Sequence, residues 1–156
     1  MPSSRVHVLA GATLFVPLYA LITCTNITLP FSLPERLFLL GLTLTGAIFP
    51  DIDIKSNMQN TFYKSLLFIL PVALFVNRSL FIGLLAIAAT LKVIKHRGIT
   101  HNPLFLLAAP AAITIGCIYR SPEHATFLMI SCLCFTCGAL SHIILDRTKT
   151  YFLYKK

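Results

Sequence analysis

Apolar and polar positions alternate along this chain in long blocks: apolar runs occupy residues 6–25, 37–50, 62–76, 80–94, 103–119 and 125–145, and only short polar breaks separate them. Runs of this kind predict helices that cross a bilayer, which needs about 20 apolar residues. The third and fourth runs are shorter, and their reading is either extension at the polar ends or a re-entrant hairpin. Pro17 falls inside the first run, where a membrane helix tolerates it. Gly41 and Gly46 in the second run allow close helix approach. Connections are brief and no internal repeat is present. The expectation is an all-α polytopic membrane bundle of about six transmembrane segments, forming a single domain over residues 1–156.

Composition agrees with the pattern. The chain is 56 % hydrophobic and 12 % charged, with a mean hydropathy of +0.82, whereas soluble domains carry roughly 25 % charged residues. A water-soluble fold of this size could not hide so much apolar area. The formal charge of +8 does not point to nucleic acid, because the basic residues lie between apolar runs and form no stripe interleaved with aromatics. The expected partner is the lipid bilayer, with no nucleic-acid binding. Arg5 followed by an apolar run superficially resembles a signal peptide, but no small-x-small cleavage site stands out, so an uncleaved first span is expected. Cys24, Cys117, Cys132, Cys134 and Cys137 sit mostly in apolar runs and are read as packing residues.

Charge does decide the orientation. Threading six spans puts Arg5, Lys55, Lys64, Lys92, Lys95, Arg97, Arg147, Lys149, Lys155 and Lys156 on one side and Arg36, Arg78 and Arg120 on the other. The excess of basic residues marks the cytoplasmic side, so both termini are expected there. The same threading sends His7, Asp51, Asp53, His96, His101, His142 and Asp146 to that one face, from four separate chain segments. Glu35, Glu123 and His124 remain on the other, and His124 reads as an ordinary loop residue. His142 and Asp146 are four apart and share a helical face. Asp51 and Asp53 flank Ile52 after Pro50, which in extended backbone points both carboxylates the same way. Gly98 permits a turn that could aim His96 and His101 at one point. Gly11, Gly46 and Gly138 leave room for close packing nearby, and Asn102 with Pro103 forms a helix start.

Imidazole and carboxylate donors without thiolate suit a divalent metal, with zinc first and manganese or iron as alternatives. Seven groups are enough for two ions sharing carboxylates, or for one ion with partners that orient its histidines. Arg97 could clamp a phosphate through its guanidinium. Asp53 and Arg97 are the candidate catalytic residues. The expected function is a metal-dependent hydrolase acting on a phosphoester or lipid substrate at the cytoplasmic membrane face. The alternative is a non-catalytic structural protein in which a metal locks helix ends. A small transporter ranks behind both, because the spans mostly lack ionisable residues at mid-membrane.

Three pieces, Pro50-Asp51-Ile52-Asp53, His96-Arg97-Gly98-Ile99-Thr100-His101 and Gly138 to Asp146, resemble the signature of the bacterial membrane-bound, predicted metal-dependent hydrolases, a family that includes LexA-regulated inner-membrane proteins. The resemblance spans essentially the whole chain, including the early His7. It implies Asp51, Asp53, His96, His101, His142 and Asp146 as the characteristic polar residues, with location in the bacterial inner membrane. A more distant likeness to zinc-dependent phospholipase C and P1-type nuclease implies an all-helical phosphodiesterase core. The chain departs from the family pattern at Ile54, where His is common, at Asn102, where Ser is usual, and in its reduced polar tail after Asp146.

Overall fold

The computed structural model describes residues 4–24, 31–53, 59–60, 63–64, 66–67, 70–71, 74, 85, 89 and 100–154. The chain divides into two compact units, Met1–Pro50 with His101–Lys156, and Asp51–Thr100. Among the described residues the regular structure is helical, with no strand. In the second unit, Asp51 to Asp53 complete a 3-10 turn that begins at Phe49. The described residues between 59 and 89 are all helical. Most of the expected third and fourth segments lie outside the described residues, as do His96 and Arg97.

Among the described residues the first unit holds four α-helices. Helix α1 runs Ser4–Cys24 with Pro17 inside it, and α2 runs Leu33–Ile48. Helix α3 runs Pro103–Arg120, and α4 runs Ala125–Tyr154 after a 3-10 turn at Pro122–His124. The α2 start lies ahead of the apolar run because Ser32 and Glu35 form a capping box. The Glu35 carboxylate accepts from the Ser32 backbone N–H at 2.7 Å and from its hydroxyl at 2.6 Å. Asn102 caps α3 as the sequence suggests, its side-chain oxygen accepting from the Leu104 N–H at 2.9 Å. Pro103 occupies the first helical position, where no N–H is needed.

Helix α4 is the centre of the unit, with its broadest interface against α2 and further faces against α3 and α1. Glycine decides how near α4 and α2 can come. A Cβ on Gly46 would run into the Phe135 carbonyl, and one on Gly138 into the Thr43 carbonyl. A Cβ on Gly11 would stand 2.9 Å from that of Ala47, so α1 joins the same close contact. Small residues at such crossings let backbones approach where lipid supplies no hydrophobic drive for association. One apolar cluster gathers Ile22, Phe31, Leu39, Ile130 and Cys134. A second gathers Leu106, Ala139 and Ile143, with Phe49 packed against it. Cys134 thus serves packing, as its apolar surroundings suggest.

The outward faces are apolar too. Leu9, Val16 and Leu21 on α1, Leu104 and Ile115 on α3, and Met129 and Ile144 on α4 are all exposed large hydrophobics. A water-facing helix would place polar groups there. Among the described residues, the segments Val6–Cys24, Pro103–Arg120 and Pro122–Thr148 are long and apolar enough to cross a membrane. At 16 residues, α2 is shorter than these.

Candidate metal centre

Chain direction explains how distant residues meet. His7 opens α1, Ala47 closes α2, His101 precedes α3, and His142 with Asp146 lies late in α4. The close crossings at Gly11, Gly46 and Gly138 bring these levels together at one end of the first unit. His142 is fully buried and His7 is 2 % exposed, while Asp146 and His101 keep 19 % and 23 % of their side-chain surface. The two stacked rings are therefore sealed among the helices, while Asp146 and His101 are only partly buried.

Asp146 is the hub. His7 Nε2 stands 3.5 Å from its Oδ1, His142 Nε2 3.5 Å from its Oδ2, and His101 Nε2 4.0 Å from Oδ2. The His7 and His142 rings are stacked, with centroids 3.8 Å apart and planes inclined by 16°. His101 meets His142 edge-on at 5.7 Å. Each of the two stacked rings faces a different oxygen of the one carboxylate.

The backbone sets the tautomer of His142. Its Nδ1 lies 2.8 Å from the Ala47 carbonyl oxygen. A carbonyl oxygen only accepts, so Nδ1 carries a proton and donates it to Ala47, which leaves Nε2 as the ring atom turned towards Asp146. A ring nitrogen facing a carboxylate oxygen across 3.5 Å is joined to it either by a proton on the nitrogen or by a cation between the two. In metal centres a histidine is commonly held in this way, with one ring nitrogen donating to a carbonyl and the other left to ligate. Donors about 2.0–2.1 Å from a tetrahedral ion stand about 3.3 Å from one another, close to the 3.5 Å separations here. The His7, His142 and Asp146 donor atoms all fall within 4.8 Å of one another. Donor type, spacing and tautomer all fit a divalent ion.

Of the residues singled out from sequence, the first unit brings together His7, His101, His142 and Asp146. Asp51 and Asp53 lie in the 3-10 turn after α2 and belong to the second unit. His96 and Arg97 lie outside the described residues. The participant that residue types do not disclose is the Ala47 carbonyl. Its only sequence signal is indirect: Gly46 and Gly138 announce the close crossing that lets a backbone oxygen reach an imidazole. His124 lies elsewhere, 68 % exposed beside Glu123 at 3.8 Å, in keeping with a loop residue.

A helical unit with three segments able to span a bilayer, apolar outer faces and a buried polar group at one end defines an integral membrane protein. The match to a family model over residues 1–151 makes this specific: the chain belongs to the YdjM inner membrane protein family. No curated protein and no solved structure matches it.

Proposed function

We propose that this protein is a metal-dependent hydrolase of the bacterial inner membrane, acting on a phosphoester, lipid-linked or soluble, at the cytoplasmic face. The observation that carries the reading is the Ala47 carbonyl holding His142 with Nε2 turned to Asp146. A bare structural contact would not require three imidazoles to converge on one carboxylate. Membership in an inner-membrane family supports the location. The one-sided distribution of Lys and Arg supports six spans with both termini cytoplasmic. The phosphoester class leans on the sequence resemblance and on Arg97.

His7, His142 and Asp146 would hold the ion, with the less buried His101 beside them. Zinc suits this donor set best, with manganese or iron next. When bound, such an ion supplies Lewis acidity and an activated water at neutral pH. The chain's own residues do the rest. Ala47 fixes the His142 ring, the stacked His7 ring limits its rotation, and Asp146 offers one oxygen to each. Asp146 and His101, each only partly buried, are the members of the group that a substrate would reach. The parts of Asp51, Asp53 and His96 as further ligands, of Asp53 in catalysis and of Arg97 as a phosphate clamp rest on the sequence.

A second reading is favoured by the burial of His7 and His142: an ion that locks the helix ends and turns nothing over. Elemental analysis of gently extracted protein, run beside hydrolysis of a chromogenic phosphodiester, tests both. Stoichiometric metal with metal-dependent hydrolysis is expected, and both should be lost in His142→Ala and in the less buried His101→Ala. Metal without turnover on any phosphoester supports the locking role. Protein that neither contains nor takes up zinc, manganese or iron ends both readings.

A further inference from the structure

At the opposite end of the first unit, the start of α2, the end of α3 and the start of α4 surround an open cavity of about 620 Å³. Its lining combines the polar residues Glu35, Arg120 and His124 with Gly116, Phe127 and Leu128. The depth of this cavity in the bilayer follows from the helices that build it. One apolar span ends at Arg120 and the next begins at Pro122, so the polar lining lies where hydrocarbon gives way to headgroups. Tyr119, 92 % exposed beside it, is the kind of residue that collects at this boundary.

We infer that the cavity binds a zwitterionic aminophospholipid, with the phosphate at Arg120, the primary ammonium at Glu35 and an acyl chain along Gly116, Phe127 and Leu128. The two charged lining residues have opposite sign, which matches a headgroup carrying both a phosphate and an ammonium better than a purely anionic one. A guanidinium pairs with phosphate oxygens through more than one N–H. The Glu35 carboxylate already accepts from Ser32 through one oxygen, and those hydrogen bonds hold its ionisation below the ordinary range, so it meets an ammonium as an anion. A primary ammonium can donate to that carboxylate, whereas a quaternary one cannot. An apolar lining at headgroup depth has a natural occupant in the upper part of an acyl chain. This site is separate from the histidine end and does not depend on the hydrolase reading.

The test uses the full chain, delipidated in mild detergent and offered phosphatidylethanolamine, phosphatidylcholine and phosphatidylglycerol with identical acyl chains, with retained lipid counted by native mass spectrometry. Phosphatidylethanolamine is expected to be retained about ten-fold over the other two, the ratio worth one charge-assisted hydrogen bond. Arg120→Gln should lower retention of phosphatidylethanolamine. Glu35→Gln, which preserves the capping box, should erase its preference over phosphatidylcholine. Gly116→Phe gives a variant that leaves both charges in place. A Cβ at Gly116 meets nothing within 4 Å and Gly116 lines the cavity, so a ring added there is expected to compete with lipid for the space. Equal retention of the three lipids by the parent overturns the proposal. So does undiminished retention in Gly116→Phe, or competition by soluble phosphoethanolamine at the same concentration as the lipid. A chain dimer that forms only without lipid and is abolished by Gly116→Phe would instead make the cavity a subunit contact.

Discussion

The two ends of the four-helix unit treat polar side chains in opposite ways. At one end, His7 and His142 are buried against helix backbones and converge on Asp146. At the other, Glu35 caps its own helix, Arg36 donates to the Phe31 carbonyl at 2.7 Å, and His124 and Glu123 stand largely exposed. Exposed polar groups need no special partner, because water or headgroups solvate them. Buried imidazoles lose that solvation and persist only where hydrogen bonds or a cation replace it. The histidine end therefore depends on interactions that the exposed end does not need, which makes it the place to test for a bound cation.

The largest expected break in this contrast comes from a matched pair of glycines. Gly138→Ala drives a methyl group into the Thr43 carbonyl, with the Ala47 nitrogen only 3.0 Å away. Neither is a flexible chain end, so α2 and α4 must part, at or above the roughly 1–3 kcal/mol usual for overpacking. Gly116→Ala meets open space and should gain up to about 1 kcal/mol of helix propensity. Thermal unfolding in detergent reads both, and equal midpoints would show that the close crossing is not what holds the histidine end together.

Next in size is the response to metal. If an ion binds the folded protein alone, saturation at about 100 times its Kd adds about 2.7 kcal/mol. Chelation should then lower the parent's unfolding temperature and leave that of His142→Ala unmoved. Its counterpart at the other end, His124→Ala, should stay within about 0.5 kcal/mol of the parent, as exposed substitutions generally do, and keep the full response to chelator. A parent that melts at the same temperature with and without chelator would leave the two ends energetically alike.

Much of this arrangement can be read from residue types. The runs at 6–25, 103–119 and 125–145 correspond to α1, α3 and α4, since lipid demands unbroken apolar stretches. Their boundaries shift where local chemistry overrides hydropathy. Helix α2 begins at Leu33 because the Ser32–Glu35 box recruits a polar turn, and α4 continues past Leu145 to Tyr154 because leaving hydrocarbon does not end a helix. The meeting of His7, His101, His142 and Asp146 at one end follows from the alternating direction of the helices that carry them. The Ala47 carbonyl could not be read, because every residue carries that group and only three-dimensional approach singles one out. Nor could the cavity at Arg120, whose charged lining residues look like ordinary loop charges in the sequence.

A smaller test compares helix starts at the two ends. Asn102→Ala removes the acceptor for the Leu104 N–H, at a cost of about 1 kcal/mol for the cap alone. At the histidine end that loss should carry further, because Asn102 adjoins His101 and sets the angle at which the chain enters α3. Reduced metal content together with reduced stability is expected. A loss of stability with unchanged metal would show that His101 is held independently of the cap.

The smallest effect concerns Glu35 and acid. Hydrogen bonds from the Ser32 hydroxyl and backbone N–H lower its ionisation from the ordinary 4.5. A carboxyl whose value is lower folded than unfolded contributes stability above the unfolded value, and loses it as pH falls through the folded one. Glu35 is solvent-facing, so this contribution is modest and screened by salt. The parent should therefore lose slightly more stability between pH 6 and pH 3 than Glu35→Gln, whose amide keeps the box without titrating. The other carboxylates titrate equally in both proteins, so the difference between the two melting curves isolates the cap. Identical pH profiles would mean that the box draws nothing from the charge, leaving the ammonium of a bound lipid as the reason for an acid at position 35.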